Sequence, residues 1–156
     1  AALTETPKHK HRPRLDPQSR RQAREYAMQF LFGLDFTGYE WDSAIDSFWD
    51  TVEASKEARD YAMRLIEGVS THWDELDTQI AAVLENWSPE RIGRIERAIL
   101  RVALHEMKHE RDVPPGVAIN EALEVAKRFG SDDSVRFING ILDKLRARLE
   151  NEPECC

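Results

Sequence analysis

From about Ser19 onward, apolar residues return every three or four positions, the period of a helix that seats one face on a core. The first stripe is Ala23, Ala27, Phe30, Leu31 and Leu34, and the stretch from Gly33 to Gly38 marks its end. A second, weaker helix is predicted from about Trp41 into Val52, with Ile45, Phe48, Trp49 and Val52 inward. A third covers roughly Lys56 to Val69 through Ala58, Tyr61, Ala62, Leu65 and Ile66, and a fourth runs from about Trp73 to Asn86 on Leu76, Ile80, Val83 and Leu84. Ser88-Pro89-Glu90 reads as a helix start: a hydroxyl cap, proline in the first turn and an acid on the positive end of the dipole. That helix is predicted to reach about Glu110, where Val113-Pro114-Pro115-Gly116 stops it. Val117 to Phe129 is helical with Ile119, Leu123 and Ala126 inward, and Gly130 is its predicted C′ residue. Ser131 or Asp132 caps a last helix whose stripe is Ile138, Ile141, Leu142, Leu145 and Leu149. With no alternating strand pattern and no internal repeat, the expectation is an all-α bundle of six or seven helices.

Composition adds a division of labour. Residues 1–17 hold three prolines among charges and little that can pack, and they read as a flexible basic arm. Residues 18–150 form the helical domain and 151–156 a tail. The net charge of −7 is uneven: seven basic residues against two acids give residues 1–24 a charge of +5, which leaves −12 for the remainder. A basic arm on an acidic body fits a polyanion at one end and a basic protein at the other. No stretch is apolar enough to span a membrane, no apolar segment follows the charged N-terminus, and Cys155 and Cys156 lack metal-ligand spacing. These features point to a reducing cytoplasm.

Three constellations could carry chemistry. His105-Glu106-Met107-Lys108-His109 matches H-E-x-x-H, which on a helix sets two imidazoles on one face for zinc, with the glutamate as general base. Glu121 is conceivable as a third ligand, but such sites usually adjoin a sheet edge and no strand is predicted. The alternative is a pair of histidines at a helix border beside a half-buried, hydrogen-bonded glutamate. The second constellation is Arg20, Arg21 and Arg24, clustered on the first helix with Phe32 on the same side and off the apolar stripe. Arginines can hold phosphates while an aromatic stacks on an unpaired base. Packing of Phe32 against another helix is the competing account. The third is on the last helix, where Phe137 sits at the stripe's edge, Arg136 is its neighbour and Asp133 lies in the first turn. Gly140, costly inside a helix, suggests that something approaches closely there.

These same residues carry a resemblance. Arg20-Arg21-Gln22-Ala23-Arg24-Glu25, Arg97-Ala98-Ile99-Leu100-Arg101, Asp112-Val113-Pro114-Pro115, Ala118-Ile119-Asn120-Glu121-Ala122 through Ala126-Lys127-Arg128-Phe129-Gly130, and Phe137-Ile138-Asn139-Gly140-Ile141-Leu142-Asp143-Lys144 follow one another as in the NusB family of bacterial transcription antitermination factors. The resemblance spans about residues 19–146 and is weak between Thr37 and Asn86. It implies two perpendicular three-helix sub-bundles, no catalysis and no cofactor. It also implies a pairing with the ribosomal protein NusE that binds boxA-type single-stranded RNA and lets RNA polymerase read through rRNA operons. By motif position, RNA contacts fall on Arg20, Arg21, Arg24, Phe32, Asp133 and Phe137, with Arg136 beside them, and a NusE contact falls on Glu96. Gln22 interrupts what is often a longer arginine run, and Lys8 to Arg14 are placed to compensate. Rival readings are a detached RNA-positioning module of an rRNA methyltransferase system, a purely protein-binding bundle, and a zinc hydrolase using His105, Glu106 and His109.

Overall fold

A computed structural model describes residues 16–38, 40–84 and 92–152, and among these every regular element is a helix. Asp16 accepts a hydrogen bond from the Gln18 amide (3.5 Å), and Pro17, preset for a first turn, opens α1 (Pro17–Thr37). The helix thus starts two residues earlier than the apolar stripe suggests. Gly38, at φ 67°, ends it in the left-handed conformation and returns its amide to the Leu34 carbonyl. Next come α2 (Trp41–Asp50), α3 (Lys56–Thr71, capped by the Ser55 hydroxyl) and α4 (Trp73–Ala82). The last of these stops short of the expected Asn86.

The fifth helix, α5, spans Arg94–His109, and its N-cap Gly93 is extended. Ile92 and Gly93 therefore lie outside the helix that the apolar pattern carries back to Ser88. Glu96, at the third helical position, folds back over Gly93, where a Cβ would collide with its carboxylate. Residues 1–15 with Lys8 to Arg14, the start signal Ser88-Pro89-Glu90, and Cys155 and Cys156 lie outside the described residues.

Pro114-Pro115 does end one helix and begin another: α6 is Pro115–Phe129 and α7 is Asp132–Asn151, capped by Ser131. Gly130 is extended rather than left-handed (φ −118°, ψ −165°). What favours glycine there is space, since a Cβ would lie 3.0 Å from the Ala126 carbonyl and 3.1 Å from Ser134 Cβ. At Gly140 the expected close approach is absent among the described residues, none of which lies within 4 Å of a Cβ built there.

One apolar core draws on every helix, with Leu31, Leu65, Ile66, Leu76, Leu100, Leu104, Ile138 and Leu142 fully buried. The helices fall into two groups, α1–α3 and α5–α7. Within this arrangement α5 packs on α1 and α3 on one side and on α6 and α7 on the other, while α4 closes over α5. Arg101 of α5 locks that closure. It is 2% exposed, donates to both Asp77 oxygens (2.7 and 2.9 Å) and to Asp35 of α1 (3.3 Å), and stacks on Trp73. No described helix is long and apolar enough to cross a membrane.

Candidate nucleic-acid interface

At 100° per residue, Arg21, Glu25, Phe32 and Phe36 fall within about 60° of one another along α1. This strip borders α6. Arg21 is half exposed and grips Glu121 of α6 through two hydrogen bonds (3.0 and 3.1 Å), which hold its charge above the ordinary arginine range. One turn on, Glu25 accepts from Arg128 (2.7 Å), itself well exposed. Pro17, Gln18, Arg21, Gln22, Glu25 and Arg128 line a shallow depression between the helices. Farther along, Phe32 meets Phe36 edge to face, and the Arg94 guanidinium from α5 lies 3.9 Å from the centre of the Phe36 ring. Phe36 is 58% exposed, an unusual position for so large an apolar ring. Arg20 lies beside the strip, half-buried, over the Tyr61 ring and 3.8 Å from Asp112.

Arg24 departs from the sequence expectation. It is 4% exposed and points into the core, so it offers no guanidinium to a phosphate. Glu106 of α5, 1% exposed, receives its Nε and Nη2 at 2.7 and 2.9 Å, and the Tyr61 hydroxyl donates to the same carboxylate at 2.6 Å. Burial is the largest single influence and opposes the charge on Arg24, but the hydrogen bond and charge of Glu106, with Tyr61 and Glu121, together outweigh it and raise the group's pKa. Burial, then the charge and hydrogen bond of Glu106, push the Tyr61 hydroxyl far above its ordinary range. The wheel misplaces Arg24 because a carboxylate on the facing helix makes an inward arginine affordable.

The third constellation assembles in part. Glu96, Ser131, Asp133, Ser134 and Phe137 share one depression where α5 meets the start of α7. Ser134 donates to Glu96 (2.6 Å), Asp133 and Arg136 are exposed, and Phe137 is half-buried. Glu96 therefore adjoins Asp133 and Phe137, although the resemblance divides them between protein and RNA contacts. Arg94, two residues before Glu96, connects this depression to the aromatic end of the α1 strip.

The H-E-x-x-H residues do not form a hydrolytic centre. Glu106 spends both carboxylate oxygens on Arg24 and Tyr61, and Glu121 is engaged by Arg21. Glu106 is thus fully buried rather than half-buried. His105 is also buried, at 3% exposure, and only His109 sits at the helix border. Burial first, then the neighbouring His109, His72 and Arg64, lower His105 to about 4. His109 is lowered by burial and by His72 and Lys108, with Glu75 opposing.

Sequence reasoning missed Arg94, Arg128, Phe36 and Glu25. Phe36 was within reach, since it falls four residues after Phe32 on the same strip. The arginines depend on helix packing that no spacing in their own helices encodes.

A sequence profile of the NusB family matches residues 21–147. The transcription antitermination protein NusB of Desulforamulus reducens is 42% identical over 135 residues, covering 86% of this chain and 92% of its own. The Bacillus subtilis protein of the same name is 40% identical over 131 residues, covering 84% and 97%. Among solved structures, T. maritima NusB superposes with a TM-score of 0.74 at 33% identity, covering 82% of this chain and 90% of that one. The complex of the antitermination factors NusB and NusE with dsRNA gives 0.75 at 23% identity, covering 85% and 99%, a likeness of fold. With the profile and relatives of this identity spanning the helical domain from α1 to α7, the chain belongs to the NusB family.

Proposed function

We propose that this transcription antitermination factor binds single-stranded RNA of the boxA type along the α1 strip, together with the ribosomal protein NusE. In this reading it acts in the cytoplasm on nascent rRNA transcripts and promotes RNA polymerase read-through. The observation that carries the proposal is the strip itself, with basic residues at one end (Arg21, Arg128) and at the other a half-buried Phe32 set edge to face against an exposed Phe36, which lies under the Arg94 guanidinium. Eleven residues at 1.5 Å each separate Arg21 from Phe32, about 16 Å, a span that several nucleotides of extended single strand can follow. Splayed bases can stack on the aromatic end while phosphates exchange with carboxylates at the basic end.

Those carboxylates matter. Arg21 and Arg128 are already paired at the surface, and exposed pairs of this kind open readily, so the basic end is held in shape and yields to a stronger anion. Asp133, Arg136 and Phe137 extend the surface to α7. Glu96 and the acidic body suit a basic ribosomal protein, because complementary charge accelerates encounter. Arg24 is a structural residue in this account.

The test is fluorescence anisotropy of a labelled boxA-type RNA and a scrambled control, with and without NusE, at two salt concentrations. The expected result is salt-sensitive binding that prefers boxA, tightens with NusE, and weakens in Arg21→Ala, Phe32→Ala and Phe137→Ala. Indifference to RNA in every combination would overturn the proposal and leave a protein-binding bundle.

A further inference from the structure

Outside the RNA strip, one cluster of chemically capable groups has no part in the proposed function. His72 lies in the link between α3 and α4, while His105 and His109 are one turn apart on α5. One nitrogen from each imidazole lies within 4.8 Å of the other two. The rings of His72 and His109 stack at 4.4 Å, and His109 stands 5.1 Å from His105.

Two details give this cluster the character of a ligand set. His72 donates its Nδ1 hydrogen to the Gly68 carbonyl (2.9 Å), so its Nε2 carries the free lone pair, and ligating histidines are usually oriented in this way. His105 is 97% removed from solvent, and its Nδ1 is buried with no hydrogen-bond partner among the described residues. A polar nitrogen left so is uncommon and calls for an explanation. The His105 ring lies directly over Gly68, where any Cβ would collide with it, so the chain leaves room for an imidazole at that point.

We propose that His72, His105 and His109 form a three-imidazole site for a divalent transition-metal ion of the zinc class, which fastens the α3–α4 link to the last turn of α5. In a tetrahedral site with bonds of 2.0–2.1 Å, neighbouring ligand atoms stand roughly 3.3 Å apart, so from separations of up to 4.8 Å closure requires at most about 1.5 Å of movement. His109, exposed at the helix border, can supply it by rotation. A water or an external donor takes the fourth position. The surrounding charges are mixed: Arg64 and Lys108 are positive, and Glu75 of α4, which Lys108 contacts, is negative. The site is a structural clasp rather than a hydrolytic centre, because Glu106, the residue a hydrolase would use as base, is held by Arg24 and Tyr61.

The experiment is calorimetric titration of the metal-free, full-length protein with Zn2+, repeated with Co2+ to read coordination from its visible absorption. His9, His11, Cys155 and Cys156 are the remaining imidazoles and thiols of the chain, so a variant with His9→Ala, His11→Ala, Cys155→Ser and Cys156→Ser is titrated in parallel. The proposal expects one ion per chain in both proteins, with affinity reduced in His109→Ala by at least roughly the ten- to hundredfold found for second-shell changes. Choosing the exposed His109 keeps the core packing intact. No binding, binding that survives His109→Ala, or binding lost when only the terminal residues are replaced would each overturn it.

Discussion

The burial of Arg24 is open to a direct experiment with Glu106→Gln. The substitution keeps the shape of the side chain and an acceptor for Tyr61 but deletes the charge that two guanidinium hydrogen bonds address at 2.7 and 2.9 Å. Arg24, 4% exposed, is then left with Glu121 at 3.8 Å as its nearest remaining carboxylate. Breaking one side of a buried pair costs about 3–5 kcal/mol, a large share of the roughly 5–15 kcal/mol that holds a domain folded. Arg24→Met strands Glu106 in the same way and should cost about as much. In the double variant Arg24→Met/Glu106→Leu no charge is stranded, so the loss should fall short of the sum of the single losses by at least about 2 kcal/mol. Urea unfolding followed by circular dichroism measures all three, read from the midpoint at constant slope. An Arg24→Met protein of native stability that has lost its RNA affinity, with Glu106→Gln costing under about 1 kcal/mol, would refute the reasoning and return Arg24 to the surface.

Other predictions follow from the same geometry. If Arg21 and Arg128 each neutralise one phosphate, removing both should reduce the slope of log affinity against log salt by about 1.4, measured by anisotropy over a salt series; an unchanged slope would exclude them as phosphate contacts. Gly140→Ala adds a methyl where none of the described residues lies within 4 Å and should stabilise the free protein by about 1 kcal/mol, a rise of about 3 °C in Tm. A fall in Tm would show that a neighbour does approach this position. In metal-free protein with chelator present, the folded value of His105, about 4, lies below its ordinary 6.5, so the native chain holds fewer protons between these values. Stability should thus be complete above about pH 6.5 and decline as pH falls toward 4, with about 2 kcal/mol lost by pH 5. Urea midpoints at pH 7 and pH 5 measure the decline, and His105→Gln should flatten it.

Helical spacing reveals what one helix contributes to its own buried face, and at that level the chain was legible. The stripes from Ala23 to Leu31 and from Ile138 to Leu145 are buried as read, and their last members, Leu34 and Leu149, are half-buried. Residues whose fate is decided by a facing helix were not. A wheel that treats charge as outward cannot know that Glu106 waits opposite Arg24, or that Asp77 and Asp35 receive Arg101. The same limit applied to the histidines: the i, i+4 pair is visible in the sequence, whereas His72 joins it only through packing of the α3–α4 link on α5. Gly130 closes α6 as read, in a crowded and extended position, whereas Gly140 is open to the described residues where a close approach was expected.

The placement of α5 determines how the molecule comes apart. It is shared between both groups of helices, with Glu106 joining it to α1 and α3 and Arg101 joining it to α1 and α4. Neither group can open without stripping this helix of half its packing and leaving a charge stranded in an apolar interior. The two halves should therefore melt as one cooperative unit, with calorimetric and van't Hoff enthalpies equal. In hydrogen exchange, the central amides of α5 should be released only by global unfolding, while those of α2, at the periphery, exchange through local opening.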